Sequence, residues 1–170
     1  IYEVIEGVAR VTMNRPDHLN AVTQEMTGKL KEALDDACRD EAVKVIILTG
    51  AGRGFCAGAD MQGLSKVTKG GSNSTFTPQE RNYLTNGLSN WEGTYNYFPT
   101  LPKPIIAAIN GPAAGVGFVM SLFCDLRFAK RSAVFSSAFA KRGLIAEYGS
   151  AWILPRLVGL AHANDILFSS

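Results

Sequence analysis

Residues 105–124 contain no charged side chain, and the run is long enough to cross a bilayer as one helix. Asn110-Gly111-Pro112 interrupts it, with Gly115 and Gly117 close behind, and such turn chemistry does not continue a helical span. The run therefore reads as a buried strand over Ile105–Ile109, a tight turn, and a buried helix from about Val116 to Cys124. Both pieces must be covered on all sides, so the chain needs a substantial core. With 170 residues, 46% hydrophobic and 19% charged, it has the means for one. The same composition excludes disordered, collagen-like and coiled-coil classes. Seventeen basic against fifteen acidic residues leave a net charge of +2, which gives no broad field for nucleic acid or an anionic membrane.

Other elements follow from periodicity. Tyr2–Ile5 and Val8–Met13 alternate around Glu6-Gly7, as a β-hairpin does. Met26, Leu30, Ala33, Leu34 and Ala37 recur at helical spacing, predicting a helix from Thr23 to about Arg39. Val43–Thr49 is β-branched and apolar, a buried strand ending at Gly50. Strand, helix, strand in that order predicts a largely parallel α/β sheet. A helix is expected from Asp60 and a surface loop over residues 67–74. A capping box in Thr77-Pro78-Gln79-Glu80 predicts a second helix to about Tyr97. Strands near Leu126–Ala129 and Val134–Ser136, a helix over Ser150–Val158 and a new helix near His162 complete the pattern. No internal boundary divides residues 1–170, which read as a single domain.

Cys38, Cys56 and Cys124 form no CxxC pair, so neither a disulfide framework nor a zinc site is expected, and no other metal site is indicated. His18 and His162 lie in unrelated contexts and give Cys56 no partner base. All three thiols read as packing residues.

The most informative feature is a repeated layout. The strand ending at Gly50 leads into Gly52-Arg53-Gly54-Phe55-Cys56-Ala57-Gly58-Ala59-Asp60. The strand over Ile105–Ile109 leads into Gly111-Pro112-Ala113-Ala114-Gly115-Val116-Gly117. Each loop puts small residues before a predicted helix, where unpaired backbone N–H groups face an anion or a polarised oxygen. Glycines that only allow tight turns would look the same taken singly. Neither loop carries a phosphate-loop or dinucleotide fingerprint, which disfavours P-loop ATPases and Rossmann dehydrogenases.

Asn14-Arg15-Pro16 through Leu19-Asn20-Ala21, Gly54–Asp60, Lys103–Gly115, Cys124-Asp125-Leu126 and Leu154–Gly159 together resemble the crotonase, or enoyl-CoA hydratase/isomerase, superfamily. The likeness runs nearly end to end in order. It implies a crotonase-like fold of repeated ββα units that binds an acyl-CoA thioester. It places the two backbone N–H donors of an oxyanion hole on Ala59 and Val116, with Ala57, Gly58, Asp60, Gly115 and Tyr148 around the substrate. One such donor is worth about 3–4 kcal/mol of transition-state stabilisation. The family's two hydratase glutamates fall on Val119 and Phe139, neither of which exchanges a proton, so the usual two-glutamate hydration is not available.

Glu147 stands alone among small and apolar residues in Gly143–Ser150, just before a helix. Such a carboxylate is partly desolvated and a better base for it, or it simply favours the helix N-terminus. The resemblance to Δ3,Δ2-enoyl-CoA isomerases puts the single catalytic glutamate here. Apolar Val119 and Phe139 would then help exclude water. The implied reaction moves a 3-enoyl-CoA double bond to C2. The alternatives are a hydratase with non-standard acid–base groups, or a non-catalytic acyl-CoA-binding relative.

Arg15 and Lys103 either meet CoA phosphates or are solvated. Tyr148, Trp152, Tyr95, Tyr97 and Phe98 either line the acyl pocket or pack. The reading needs no cofactor beyond the CoA carried by the substrate, and no nucleic acid or membrane. The resemblance implies a homotrimer or a dimer of trimers. It also implies the cytoplasm in a bacterium, or the mitochondrial or peroxisomal matrix in a eukaryote. The family normally continues past Gly159 into further C-terminal helices, so residues 1–170 are expected to be the catalytic core of a longer protein.

Overall fold

In the computed structural model, residues 1–60 and 94–170 are described. Tyr2–Ile5 (β1) and Val8–Met13 (β2) pair antiparallel. Glu6 and Gly7 between them take the left-handed backbone a two-residue hairpin turn requires. Gln24–Arg39 (α1) follows, capped by the Thr23 side chain accepting from the Met26 N–H at 3.1 Å. Its buried residues Leu30, Leu34 and Ala37 face Ala9, Val11 and Met13 in one core.

Val45–Gly50 (β3), Ile105–Ile109 (β4) and Leu126–Ala129 (β6) extend the sheet, in order β1-β2-β3-β4-β6, through parallel pairings after the hairpin. Both β3 and β4 alternate buried with half-buried positions, so one face carries Ile46, Leu48, Ile105, Ala107 and Ile109 into the core. Two short strands, Ala113–Ala114 (β5) and Phe135–Ser136 (β7), pair parallel in a second layer. Single parallel bridges, Cys56 to Ala113 and Val22 to Ala59, continue that layer toward the start of α1.

The repeat expected from the resemblance is therefore visible. β4 and β5 lead to Val116–Phe123 (α2), and β6 and β7 lead to Ser150–Val158 (α3). In each unit the first strand joins the large sheet and the second crosses to the other layer. Every residue of α2 is buried, as the uncharged run demanded. Leu160–Ser169 (α4) packs on α3, with Phe118, Leu122, Leu154 and Ala163 as a small second core.

Some boundaries differ from the sequence expectations. Helix α2 stops at Phe123 and β7 begins at Phe135. The helix expected from Asp60, the loop over 67–74 and most of the helix from Thr77 fall outside the described residues. The described end of that second helix, residues 94–97, is a turn leading into a 3-10 turn over Phe98–Thr100. Pro99 accounts for this, because it has no N–H to donate into an α-helical ladder. Among the described residues, no helix is long and apolar enough to cross a membrane.

Candidate active site

Two loops meet where β3 and β4 lie side by side. The first is pinned by two asparagines. Asn20, fully buried in left-handed backbone, donates through Nδ2 to Ala51 O at 2.9 Å and Gly54 O at 2.8 Å, while its Oδ1 accepts the Arg15 N–H at 2.8 Å. Asn110, at the end of β4, donates to Gly52 O at 2.9 Å and Gly54 O at 3.1 Å. The two strand ends and the loop between them are thus one hydrogen-bonded unit.

From there the loops run in contact. The Ala114 N–H donates to Cys56 O at 2.9 Å, and the Phe55 and Cys56 N–H groups both donate to Pro112 O at 3.1 Å. Gly58 and Gly115, with φ of 105° and 50°, face each other so closely that a Cβ on Gly58 would lie 3.2 Å from Ala114 O. Only glycine combines that backbone with that approach.

Along these stretches several backbone donors are spent on holding the loops together. Ala57 donates to Leu19 O, Asp60 to Val22 O, Ala114 to Cys56 O and Gly115 to Ser136 O. The N–H groups of Ala59 and Val116, by contrast, meet no acceptor among the described residues. Val116 is the first residue of α2, where a helix leaves its N–H groups unused and partially positive. The two residues singled out in the sequence thus carry donors that no acceptor among the described residues satisfies, on loops that touch.

Around this pair the expected residues take different places. Ala57 is exposed on the first loop and Gly58 is buried beneath it. Asp60 pairs with Arg15 at 2.8 Å, so these two side chains join the loop to the segment before α1. Lys103 does not face solvent for a phosphate. Its ammonium donates to Ala37 O at 2.7 Å and also to Asp40 O, capping the end of α1. Arg15 and Lys103 are thus engaged by the protein itself rather than simply solvated. The Cys56 thiol is fully buried, and burial pushes it up to about 11, while Cys124 is pushed higher still. Both behave as the packing residues expected, and Cys38 is half-buried.

Glu147 is half-buried in a turn set by backbone geometry. Its carbonyl accepts from the Ser150 N–H at 3.0 Å and from Ser150 Oγ at 2.7 Å. Tyr148 and Gly149 that follow are both left-handed, at φ of 54° and 79°. Tyr148 packs edge-on against Tyr95, ring centroids 5.3 Å apart at 70°. Tyr95 is buried, and burial together with its neighbours pushes its phenol up to about 12. Tyr95 thus touches the segment that follows Glu147 on one side and the Thr27 hydroxyl on the other. Trp152 instead lies under the Arg156 guanidinium, 3.9 Å away, at the surface, and Tyr97 packs on Phe98 in the core. Val119 and Phe139 are buried and apolar. Among the described residues no group of three metal-ligating side chains comes together.

Two N–H groups with no acceptor among the described residues can polarise a carbonyl oxygen, and a half-buried carboxylate such as Glu147 can move a proton; together they suit proton transfer next to a carbonyl. Sequence reasoning missed Asn20 as the pin of the first loop and Tyr95 as the link to Glu147. Neither has a local signal, since their partners lie far away in the chain.

Several known proteins resemble this chain in sequence and fold. The sequence profile of the family described as enoyl-CoA hydratase/isomerase matches residues 3–170. A 1,2-epoxyphenylacetyl-CoA isomerase of Escherichia coli strain K12 is 41% identical over 165 residues, covering 96% of this chain and 59% of that protein. The crystal structure of an enoyl-CoA hydratase, EchA12_1, from Mycobacterium marinum superposes with a TM-score of 0.71 at 42% identity, covering 99% of this chain and 69% of that one. That of an enoyl-CoA hydratase from Polaromonas sp. JS666 gives 0.81 at 28% identity, over 99% and 62%. The chain spans less than two thirds of the length of the curated relatives it matches.

Proposed function

The chain belongs to the enoyl-CoA hydratase/isomerase family, and from that premise we propose that it shifts a double bond in an acyl-CoA thioester, converting a 3-enoyl-CoA to a 2-enoyl-CoA. The observation that carries the reading is the pair of unspent N–H groups at Ala59 and Val116 on touching loops, together with a lone carboxylate at Glu147. The thioester oxygen accepts from both N–H groups. Glu147 takes a proton from C2, and the electron pair of the broken C–H bond moves into the carbonyl, leaving an enolate oxygen that the donors stabilise. The same carboxyl returns its proton to C4, the carbonyl re-forms, and the double bond now joins C2 and C3. Nothing is oxidised or reduced, and CoA arrives as part of the substrate.

Two features favour isomerisation over hydration. Val119 and Phe139 offer no second acid–base group and keep their positions dry. A relative at 41% identity is itself named as an isomerase of a CoA ester. Solved relatives named as hydratases favour a second reading, in which Glu147 activates a water. The homotrimer or dimer of trimers implied by the resemblance goes with either.

Incubation with 3-enoyl-CoA and, separately, 2-enoyl-CoA tests this. The expected outcome is isomerisation of the first and slow or no hydration of the second. Glu147→Gln should lower isomerisation by about 10²–10⁴-fold, the usual share of a positioned base. Rapid hydration that survives Glu147→Gln would overturn the assignment. Binding of CoA esters without turnover would favour a non-catalytic relative.

A further inference from the structure

Any oxyanion-hole enzyme must hold its base at a fixed distance from its donors, because misplacement by about 1 Å can cost 10²-fold in rate. Here the two parts come from distant segments, so something must set the gap between them. The first turn of α1 touches both. On one side Val22, just before the helix, is bridged to the first loop: its N–H donates to Gly58 O at 2.8 Å, and its carbonyl accepts the Asp60 N–H at 3.0 Å. Ala59, the proposed donor, is held between those two bonds. On the other side Thr27, one turn into α1, reaches Tyr95, with the two hydroxyl oxygens 3.0 Å apart.

The direction of that hydrogen bond follows from its neighbour. The Thr27 hydroxyl already donates to Thr23 O at 3.0 Å, so it accepts the proton of the Tyr95 hydroxyl. The phenol keeps that proton across the neutral range. Its ring in turn meets Tyr148 edge-on, adjacent to Glu147 in a left-handed turn that tolerates few other arrangements. On the same segment, Asn96 abuts Gly149, whose added Cβ would fall 3.7 Å from Asn96 Cβ.

We propose that Tyr95, anchored by Thr27 on the first turn of α1, is a positioning residue that sets the Glu147 turn relative to the Ala59 donor. This rests on the reading of Glu147 as the base. Tyr95 itself does not touch the reacting atoms. Its role is to hold Tyr148 from behind, so that the base and the hole share one anchor in α1. The Val22 bridge fixes one end of the gap and the Thr27–Tyr95–Tyr148 contact fixes the other.

The test is a double-mutant cycle on isomerase turnover with 3-enoyl-CoA, using Tyr95→Phe, Thr27→Val and the pair, with Glu147→Gln measured alongside. Loss of the anchor in either single variant should lower kcat about tenfold while KM stays within about twofold. The pair should be no worse than the poorer single variant, since both remove the same link. Tyr95→Leu, which removes the ring as well, should lose about 10²-fold, and Tyr95→Phe should recover part of that loss. A merely structural role predicts lower melting temperatures with kcat per folded molecule unchanged, and that result overturns the proposal. Independent, additive losses at Thr27 and Tyr95 overturn it as well. If Glu147→Gln retains full turnover, the base assignment itself falls. If Glu147→Gln is inactive while Tyr95→Phe and Thr27→Val keep normal kcat, only the positioning role falls.

Discussion

Val116→Pro removes one proposed donor while leaving the helix that carries it intact. Val116 is the first residue of α2, and its N–H serves no bond within the helix. Proline is well suited to that position, because the missing N–H is unused there and its fixed φ starts a helix. The residue before it must avoid helical backbone. Gly115 does so, at φ 50° and ψ −118°, the mirror image of extended backbone and open to glycine. Val116 is only 4% exposed, and proline is close to it in size, so little cavity opens. Stability should therefore change by no more than about 1 kcal/mol. Loss of an oxyanion donor costs about 3–4 kcal/mol, so kcat should fall about 10²–10³-fold. Val116→Ala supplies the opposite pattern. It empties part of a buried site at a cost of about 1–3 kcal/mol in stability but keeps the N–H, so turnover per folded molecule should stay within a few-fold. Thermal unfolding and steady-state isomerisation of both variants decide the matter. A proline variant with normal kcat, or an alanine variant as slow as the proline one, would refute the role of the Val116 N–H.

Three further expectations follow from the site's supports. Asn20→Ala should cost about 3 kcal/mol by urea denaturation, because it strands the part-buried Ala51 carbonyl and Arg15 N–H and empties a fully buried site; a loss below about 1 kcal/mol would show that the loop repairs itself. Lys103→Met should lower stability by about 1–2 kcal/mol through the lost cap on α1, with KM for the CoA ester unchanged; a large rise in KM would restore the phosphate role. Folding stability should be level up to about pH 9 and decline from there toward pH 12, since the unfolded chain releases the Cys56 and Tyr95 protons at lower pH than the folded one does. Tyr95→Phe should flatten the part of that decline above pH 10, and an identical urea midpoint profile would contradict it.

What the chain announces locally, it announces well. Helix α1 runs from beside Thr23 to Arg39 as its apolar spacing promised, Glu6-Gly7 turns the hairpin, and the uncharged run becomes β4 and α2. The two glycine loops were also visible, because both follow a strand and precede a helix or its expected start, while the donor assignment to Ala59 and Val116 came from the family resemblance alone. The second layer was less so. Strands of two residues, such as Ala113–Ala114, are too short to show a period, and the Cys56 and Ala59 bridges are single contacts. Hidden too were the polar groups whose partners are remote. Lys103 and Arg127 look like surface charges but cap α1 and α2, Arg127 through the carbonyls of Ser121, Leu122 and Cys124. Thr27 and Tyr95 are 68 residues apart, and no local pattern joins them. The helix expected to reach about Tyr97 gives way to a turn over residues 94–97, because Pro99 close by carries no N–H for an α-helical ladder.

The parallel pairing of β3 with β4 also bears on how the protein matures. The Thr49 hydroxyl donates to Ala108 O across a gap of 59 residues in sequence, and the Asn110 clamp on the first loop reaches just as far. Such long closures are entropically slow, and little rewards them until both strands are in register. On the ribosome, then, Ala59 emerges well before the segment that must sit beside it. A nascent chain passes through a long interval in which α1 and its hairpin are available but the pocket is not. Binding of the acyl-CoA ester proposed above should thus appear late and all at once, which would make such a ligand a stringent reporter of completed folding.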